Sequence, residues 1–137
     1  MAETMHFSLV TPERSVFEIE VKEVTIPAYE GEMQALPMHT PYFAKLGIGI
    51  LSFTDITGDN KKLAVTGGFV EVLPDKVTML CRTAELPEEI DAERAMAALK
   101  RAKERLEHPD ENTDIERARA ALMRAMARLK LIGKEVS

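Results

Sequence analysis

The feature that most constrains this chain is a change of hydrophobic period at "AELPEEID", residues 84–91. Before it, apolar and polar residues alternate in short runs: "MHFSLV", "VKEVTI", "IGILSF", "KKLAVT", "FVEVL" and "KVTMLC". These runs are rich in Val, Ile, Phe and Thr, the residues that fit a pleated, half-buried surface. After it, Ala92, Ala95, Leu99, Ala102 and Leu106 recur at the 3-4 spacing of one helix face. Ile115, Ala118, Leu122, Ala125, Leu129 and Ile132 do so again. A period of two cannot pack as a helix and a period of 3.6 cannot pack as a strand, so the chain divides into two kinds of structure.

Turn chemistry punctuates the first part: "TPER", "YEGE", "TGDN", "TGG" and "LPDK" lie between the runs, and the Gly58-Asp59 step reads as a hairpin. Many short strands at close spacing predict an antiparallel β-sandwich or flattened barrel over residues 1–86. In the second part Pro109 stops the first helix. Thr113 with Glu116 reads as a capping box for the second. The short connection folds the helices back as an antiparallel two-helix hairpin, a second unit over residues 87–137 with helices near 91–106 and 114–132. The expected fold class is α+β, mainly β. Alanine fills half of the helical seam, so the hairpin buries little apolar area and is expected to be a movable element.

Charge follows the same division. Residues 1–90 carry 7 Lys and Arg against 14 Asp and Glu, and residues 91–137 carry 11 against 9, which together make the net charge of −5. An acidic strand-rich part with few aromatic residues disfavours nucleic-acid binding. No apolar run reaches the roughly 18 residues that span a bilayer, and the N-terminus lacks a basic stretch followed by an apolar one. His6, His39 and His108 have no metal-ligand spacing, and no phosphate-binding loop or nucleophile elbow is present. The single Cys81 reads as a buried apolar residue. Met33, Met38 and Phe43 place apolar surface around a turn-rich stretch, as core or as a contact surface.

The helices carry one further pattern. With Ala92 and Ile115 at heptad position a, Arg94, Arg101, Arg117 and Arg124 fall at c, and Arg105 and Arg128 at g. Both arginine flanks then meet on one side of an antiparallel hairpin, with Arg94 near Arg128. Two readings follow: a solvated helix face, since arginine is a good helix former, or a cluster of forked donors suited to phosphate oxygens.

Four segments carry a resemblance over nearly the whole length: "VTPERSVFE" at 10–18, "GEMQALPMHTP" at 31–41, "AVTGGFVEVLPDKVTML" at 64–80 and "IDAERAMAALKRAKERL" at 90–106. With this two-part layout the chain resembles the epsilon subunit of bacterial F-type ATP synthases. The second segment departs from the family's usual form, with Gln34 and Met38 where glycines are common. The resemblance implies a non-catalytic central-stalk rotor subunit, peripheral on the cytoplasmic side of the bacterial inner membrane. It implies a first unit that binds the gamma subunit and sits on the c-subunit ring. It implies a hairpin that either packs down or extends toward the alpha and beta subunits to inhibit ATP hydrolysis. It also implies ATP as a regulatory ligand, through an "I/L-D-x-x-R-A" segment and arginines of both helices. Carried over by position, the residues are Glu85, Ile90, Asp91, Arg94, Ala95, Arg101, Arg124 and Arg128. Glu85 and Asp91 would accept hydrogen bonds from the adenine or ribose, and the arginines would hold the phosphates. A stand-alone nucleotide-sensing module is the alternative, separated from the rotor reading by co-purification with gamma.

Overall fold

The computed structural model describes residues 4–134. The strands are β1 (Met5–Val10), β2 (Ser15–Ala28), β3 (Gly31–Ala35), β4 (Tyr42–Asp55), β5 (Asn60–Leu73), β6 (Lys76–Cys81) and β7 (Ala84–Glu85), and two helices follow, α1 (Ala92–Glu107) and α2 (Ile115–Leu131). Strand neighbours run β1-β6-β5-β4-β2, and β1 also pairs with β2, so five strands close on themselves. The result is a flattened barrel, with β3 added beside β2 and β7 beside β5. Closure removes the open edges that an acidic sheet of this size would otherwise present.

One pairing departs from the all-antiparallel expectation. β1 runs parallel to β6, with Phe7 opposite Val77 and Leu9 opposite Met79. The first and last long strands close the barrel, and no hairpin joins them, so nothing local dictates their relative direction.

Alternation places Met5, Phe7 and Leu9 of β1 and Val77, Met79 and Cys81 of β6 inside. Phe53 lies at the centre, its ring 5.2 Å from Phe7 and 5.0 Å from Phe17. Cys81 is buried as expected, and loss of hydration pushes its thiol pKa up to about 12.

The "TGG" segment is not a turn. "KKLAVT" and "FVEVL" form one continuous strand, β5, in which Leu63 and Val65 face inward before the glycines and Val70 and Val72 after them. That spacing is odd, so the strand must slip by one residue to keep both pairs in the core. Gly67 and Gly68 supply the slip with φ of 97° and 122°. β4 makes the matching adjustment: Leu46 pairs with Gly68 and Ile48 with Thr66, so Gly47 and Gly67 are passed over together. A Cβ on Gly68 would stand 1.9 Å from the Leu80 carbonyl oxygen, so this position is closed to any other residue.

The expected Gly58-Asp59 hairpin joins β4 to β5. Its tip is held by the Asp55 carboxylate, which accepts from the Thr57 hydroxyl and from the backbone N–H groups of Thr57 and Asp59. Those bonds lower the Asp55 pKa, the Thr57 hydroxyl contributing most.

The helices form the expected antiparallel pair, with Ala95, Leu99, Ala102, Ala118, Ala125 and Leu129 buried. The capping box is corrected. The cap of α2 is Asp114, whose carboxylate accepts the Arg117 N–H at 3.1 Å, while the Thr113 hydroxyl turns back to Asp110. Carboxylate and hydroxyl stand side by side, and the carboxylate is the stronger acceptor for the first turn. The hairpin unit read as ending at residue 137 extends past the described residues, which stop at 134.

α2 packs across the outside of β4 and β5. Ala64 and Thr66 face outward beneath it and are buried, and Ala127 is buried from the helix side. The match is incomplete: Met123 and Met126 border a groove of about 420 Å³ opposite Ile48 and Ile50. Met33 is half-buried and packs on the barrel core. Met38 and Phe43 are exposed, and Phe43 stacks on Phe69 at 5.8 Å beside exposed Leu80. Among the described residues no helix is long and apolar enough to cross a membrane.

Candidate functional site

The two units meet at the segment that joins them. β7 pairs Glu85 with Ala64 at the barrel edge. A short 3-10 turn follows at Pro87–Glu89, where proline pre-sets the first position and Glu89 accepts the Leu86 N–H at 2.9 Å. Arg14, from the β1–β2 turn, grips the same carboxylate with two contacts of 2.9 and 2.8 Å. The Glu89 pKa is held below its ordinary value, first by the Leu86 N–H and then by Arg14. Ile90 is extended, and Asp91 caps α1 by accepting the Arg94 N–H at 3.1 Å.

This segment and the two helices enclose a hollow of about 360 Å³. Glu85, Ile90, Asp91, Arg94, Ala95, Arg101 and Arg128 all line it, joined by Glu89 and Ala98. Arg94 and Arg101 rise from one flank of α1, seven residues apart, and Arg128 reaches in from the last turn of α2. Arg124 does not line it; it stands half-buried one turn earlier on α2. Arg105 and Arg117, nearer the interhelix loop, are exposed and outside it as well. Arg119 lies elsewhere, bordering a groove with Glu116, Tyr29 and Lys45.

Charge within the hollow is unevenly committed. Arg128 donates from Nε to Glu85 Oε1 at 2.5 Å. Glu89 belongs to Arg14, and Asp91 to the helix cap. Arg94 and Arg101 have no carboxylate partner among the described residues. Two unmatched guanidiniums in one concavity, beside the apolar sides of Ile90, Ala95 and Ala98, suit a ligand with an anionic tail and a flat, less polar body. Among the described residues no cluster of His, Cys, Asp and Glu could hold a metal ion.

Arg14, Glu89 and Ala98 were missed by sequence reasoning. The Arg14–Glu89 contact spans 75 positions and leaves no local trace. Ala98 follows Ala95 by three residues on the same helix face, a signal that was legible.

Comparison with known proteins agrees with this layout. Residues 4–87 match the family described as ATP synthase, Delta/Epsilon chain, beta-sandwich domain, and residues 88–133 match its long alpha-helix domain. The ATP synthase epsilon chain of Koribacter versatilis is 47% identical over 107 residues, 78% of this chain and 75% of that one. The ATP synthase epsilon chain of Carboxydothermus hydrogenoformans is 48% identical over 106 residues, 77% of this chain and 78% of its own length. The chain belongs to the ATP synthase epsilon-chain family. Membership implies a non-catalytic subunit of an ATP synthase. Among solved structures, a chain in the Euglena gracilis mitochondrial ATP synthase (OSCP/F1/c-ring, rotational state 1) superposes with a TM-score of 0.84 at 27% identity. That match covers 95% of this epsilon-family chain and 81% of the Euglena chain. A chain from the central stalk/c-ring structure of the Tetrahymena thermophila mitochondrial enzyme shares the fold, with a TM-score of 0.59 at 13% identity over 93% of this chain and 96% of that one.

Proposed function

We propose that this chain is a central-stalk rotor subunit of a proton-translocating F-type ATP synthase. Its barrel, residues 1–86, couples the gamma subunit to the c-subunit ring. Its hairpin, residues 87–137, moves between the packed position and an extended one that reaches the alpha and beta subunits and inhibits ATP hydrolysis. The assembly is peripheral on the cytoplasmic side of the bacterial inner membrane. The exposed Phe43, Phe69 and Leu80 give the barrel an apolar face for a protein partner.

ATP is the proposed regulatory ligand, bound in the hollow lined by Arg94, Arg101 and Arg128 with Ile90, Asp91 and Ala95. The observation that carries this reading is where the lining comes from. Arg94 belongs to α1, Arg128 to α2 and Glu85 to the barrel edge. The hollow therefore exists only with the hairpin packed, and a ligand bound there favours that position over the extended one.

Two measurements test the proposal. Co-expression with gamma is expected to give a stable complex; failure to co-purify would leave a stand-alone nucleotide-sensing module. Calorimetric titration of the full chain is expected to show ATP binding. Absence of binding at millimolar ATP would return the arginines to a solvated helix face or to the acidic segments of partner subunits.

A further inference from the structure

The barrel and the hairpin separate between Leu86 and Ile90. Leu86 packs on the barrel core, just past β7, whose Ala84 and Glu85 pair with Val65 and Ala64. Ile90 packs instead on the hairpin's own cluster of Ala95, Leu99, Ala125 and Leu129. A joint that lets the hairpin swing therefore lies after Leu86 and before α1 begins at Ala92.

Most of that span is already held. The Glu89 N–H donates to the Leu86 carbonyl at 3.0 Å and the Ile90 N–H to the Pro87 carbonyl at 3.2 Å, while the Glu89 carboxylate accepts the Leu86 N–H. Pro87 adds a fixed φ. Arg14 then staples this turn to the barrel, its Nη2 meeting both Glu89 carboxylate oxygens at 2.9 and 2.8 Å. The root of Arg14 is itself fixed. Its carbonyl accepts the Thr11 N–H at 2.9 Å, and its own N–H reaches the Thr11 hydroxyl at 3.3 Å. The staple thus joins one closed turn to another, with the two side chains 47% and 34% exposed and so only partly screened by solvent. Between the staple and the first turn of α1 there remain Ile90 and Asp91. Their ψ angles of 125° and 108° lie in the broad extended region, where rotation meets little steric resistance.

We propose that Arg14 is a positioning residue that locks the linker to the barrel through Glu89 and so confines the hairpin's hinge to Ile90–Asp91. This rests on the proposed movement of the hairpin. A linker free from Leu86 onward would gain backbone entropy when the hairpin extends. The staple keeps the turn ordered in both positions, so extension releases the two hinge residues alone. Loss of Arg14 moves the hinge back toward Leu86 and shifts the equilibrium toward the extended position.

The test compares the full chain with its Arg14→Gln, Arg14→Lys and Glu89→Gln variants and with the double variant Arg14→Gln/Glu89→Gln. Amide hydrogen exchange is followed in the isolated proteins, and ATP hydrolysis in the assembled complex. In Arg14→Gln the Leu86, Glu89 and Ile90 amides are expected to exchange about fivefold faster, with Leu99 and Ala125 unchanged, and hydrolysis to fall about twofold or more. Arg14→Lys, which keeps the charge, should restore part of both effects, and the double variant should be no worse than Arg14→Gln alone. Equal exchange at Leu86, Glu89 and Ile90 overturns the hinge assignment. Additive losses in the double variant overturn it too, since Arg14 and Glu89 would then act through separate contacts. Faster exchange throughout both helices does the same, Arg14 then stabilising the hairpin as a whole. Faster linker exchange with unchanged hydrolysis overturns the effect on hairpin position. If removal of residues 88–137 also leaves hydrolysis unchanged, the regulatory reading of the hairpin falls with it.

Discussion

Met38 is the single non-glycine residue with positive φ among those described, at 70°, and its side chain is 73% exposed. The segment is pinned there because Met38 N–H donates to the Pro74 carbonyl at 2.7 Å and His39 N–H to the Leu36 carbonyl at 3.1 Å. A Cβ in this region of the backbone costs roughly 1–2 kcal/mol, partly offset by the greater freedom glycine has in the unfolded chain. Met38→Gly is therefore expected to stabilise the protein by about 0.5–1 kcal/mol in denaturant unfolding; a loss of stability would show that the exposed side chain makes an unrecognised contact. Gln34, the other departure from the family's pattern, is an ordinary strand residue opposite Thr25, where glycine is not required. At the arginines, the hollow supplies a contrast within one helix. Arg128→Ala, and likewise Arg94→Ala, should weaken ATP binding at least about tenfold, because removing each charge-assisted hydrogen bond costs on the order of 1.5–3 kcal/mol. Arg119→Ala, in a different groove, should change it little, and an equal effect there would place the ligand elsewhere. Heptad lettering alone makes the meeting of Arg94 and Arg128 legible. It does not show that Arg124 falls outside the hollow, because lettering describes the mutual face of two helices and the barrel supplies the third wall.

Among the elements, the β1–β2 pair carries the clearest pH signature. His6 Nε2 lies 2.6 Å from Glu18 and Nδ1 3.2 Å from Glu20, both carboxylates on the neighbouring strand. The bond to Glu18, then that to Glu20, raises the His6 pKa, and His6 in turn is the first cause of a lowered Glu18 pKa. A raised histidine pKa stabilises the fold fully below the unfolded value of 6.5, and that stabilisation is lost as pH rises through the folded value. His6→Gln should flatten the decline in stability across that window, measured by urea unfolding at a series of pH values. An unchanged profile would mean that solvent screens the cluster completely. The hairpin makes the opposite kind of element, structurally simple and thinly packed. The buried residues of its helices are mostly alanine, with Leu99 and Leu129, whereas the barrel core holds Phe7, Phe53, Leu51 and Leu63. A chain ending at residue 87 is accordingly expected to fold cooperatively and to keep gamma binding; an insoluble fragment would show that α2 is integral to the barrel. Both helices are legible in the sequence to within a residue or two because their apolar period is unbroken. β5 is not, because its two halves face inward in opposite phase, and Gly67-Gly68 looks from sequence like a turn when it is a slip within one strand.

For the whole molecule, closure is what the sequence leaves illegible. The parallel pairing of β1 with β6 and the Arg14–Glu89 and Arg128–Glu85 contacts all join positions far apart in the chain, and no local pattern announces them. They are also what gives the packed position its meaning. One strand edge, one linker and two helix flanks come together there to line the hollow, so in the proposed function nucleotide binding and the packed hairpin are one structural state. Moving the hairpin away from β4 and β5 would expose Ala64, Thr66 and Ala127, small residues that cost little to rehydrate. In the proposed function the hairpin is an appendage whose position regulates ATP hydrolysis by the assembly. The steady-state ATP hydrolysis rate of the assembled complex, with the full chain and with the chain ending at residue 87, tests this regulatory role. Faster hydrolysis is expected with the truncated chain at equal assembly, and equal rates would show that the hairpin does not regulate the complex.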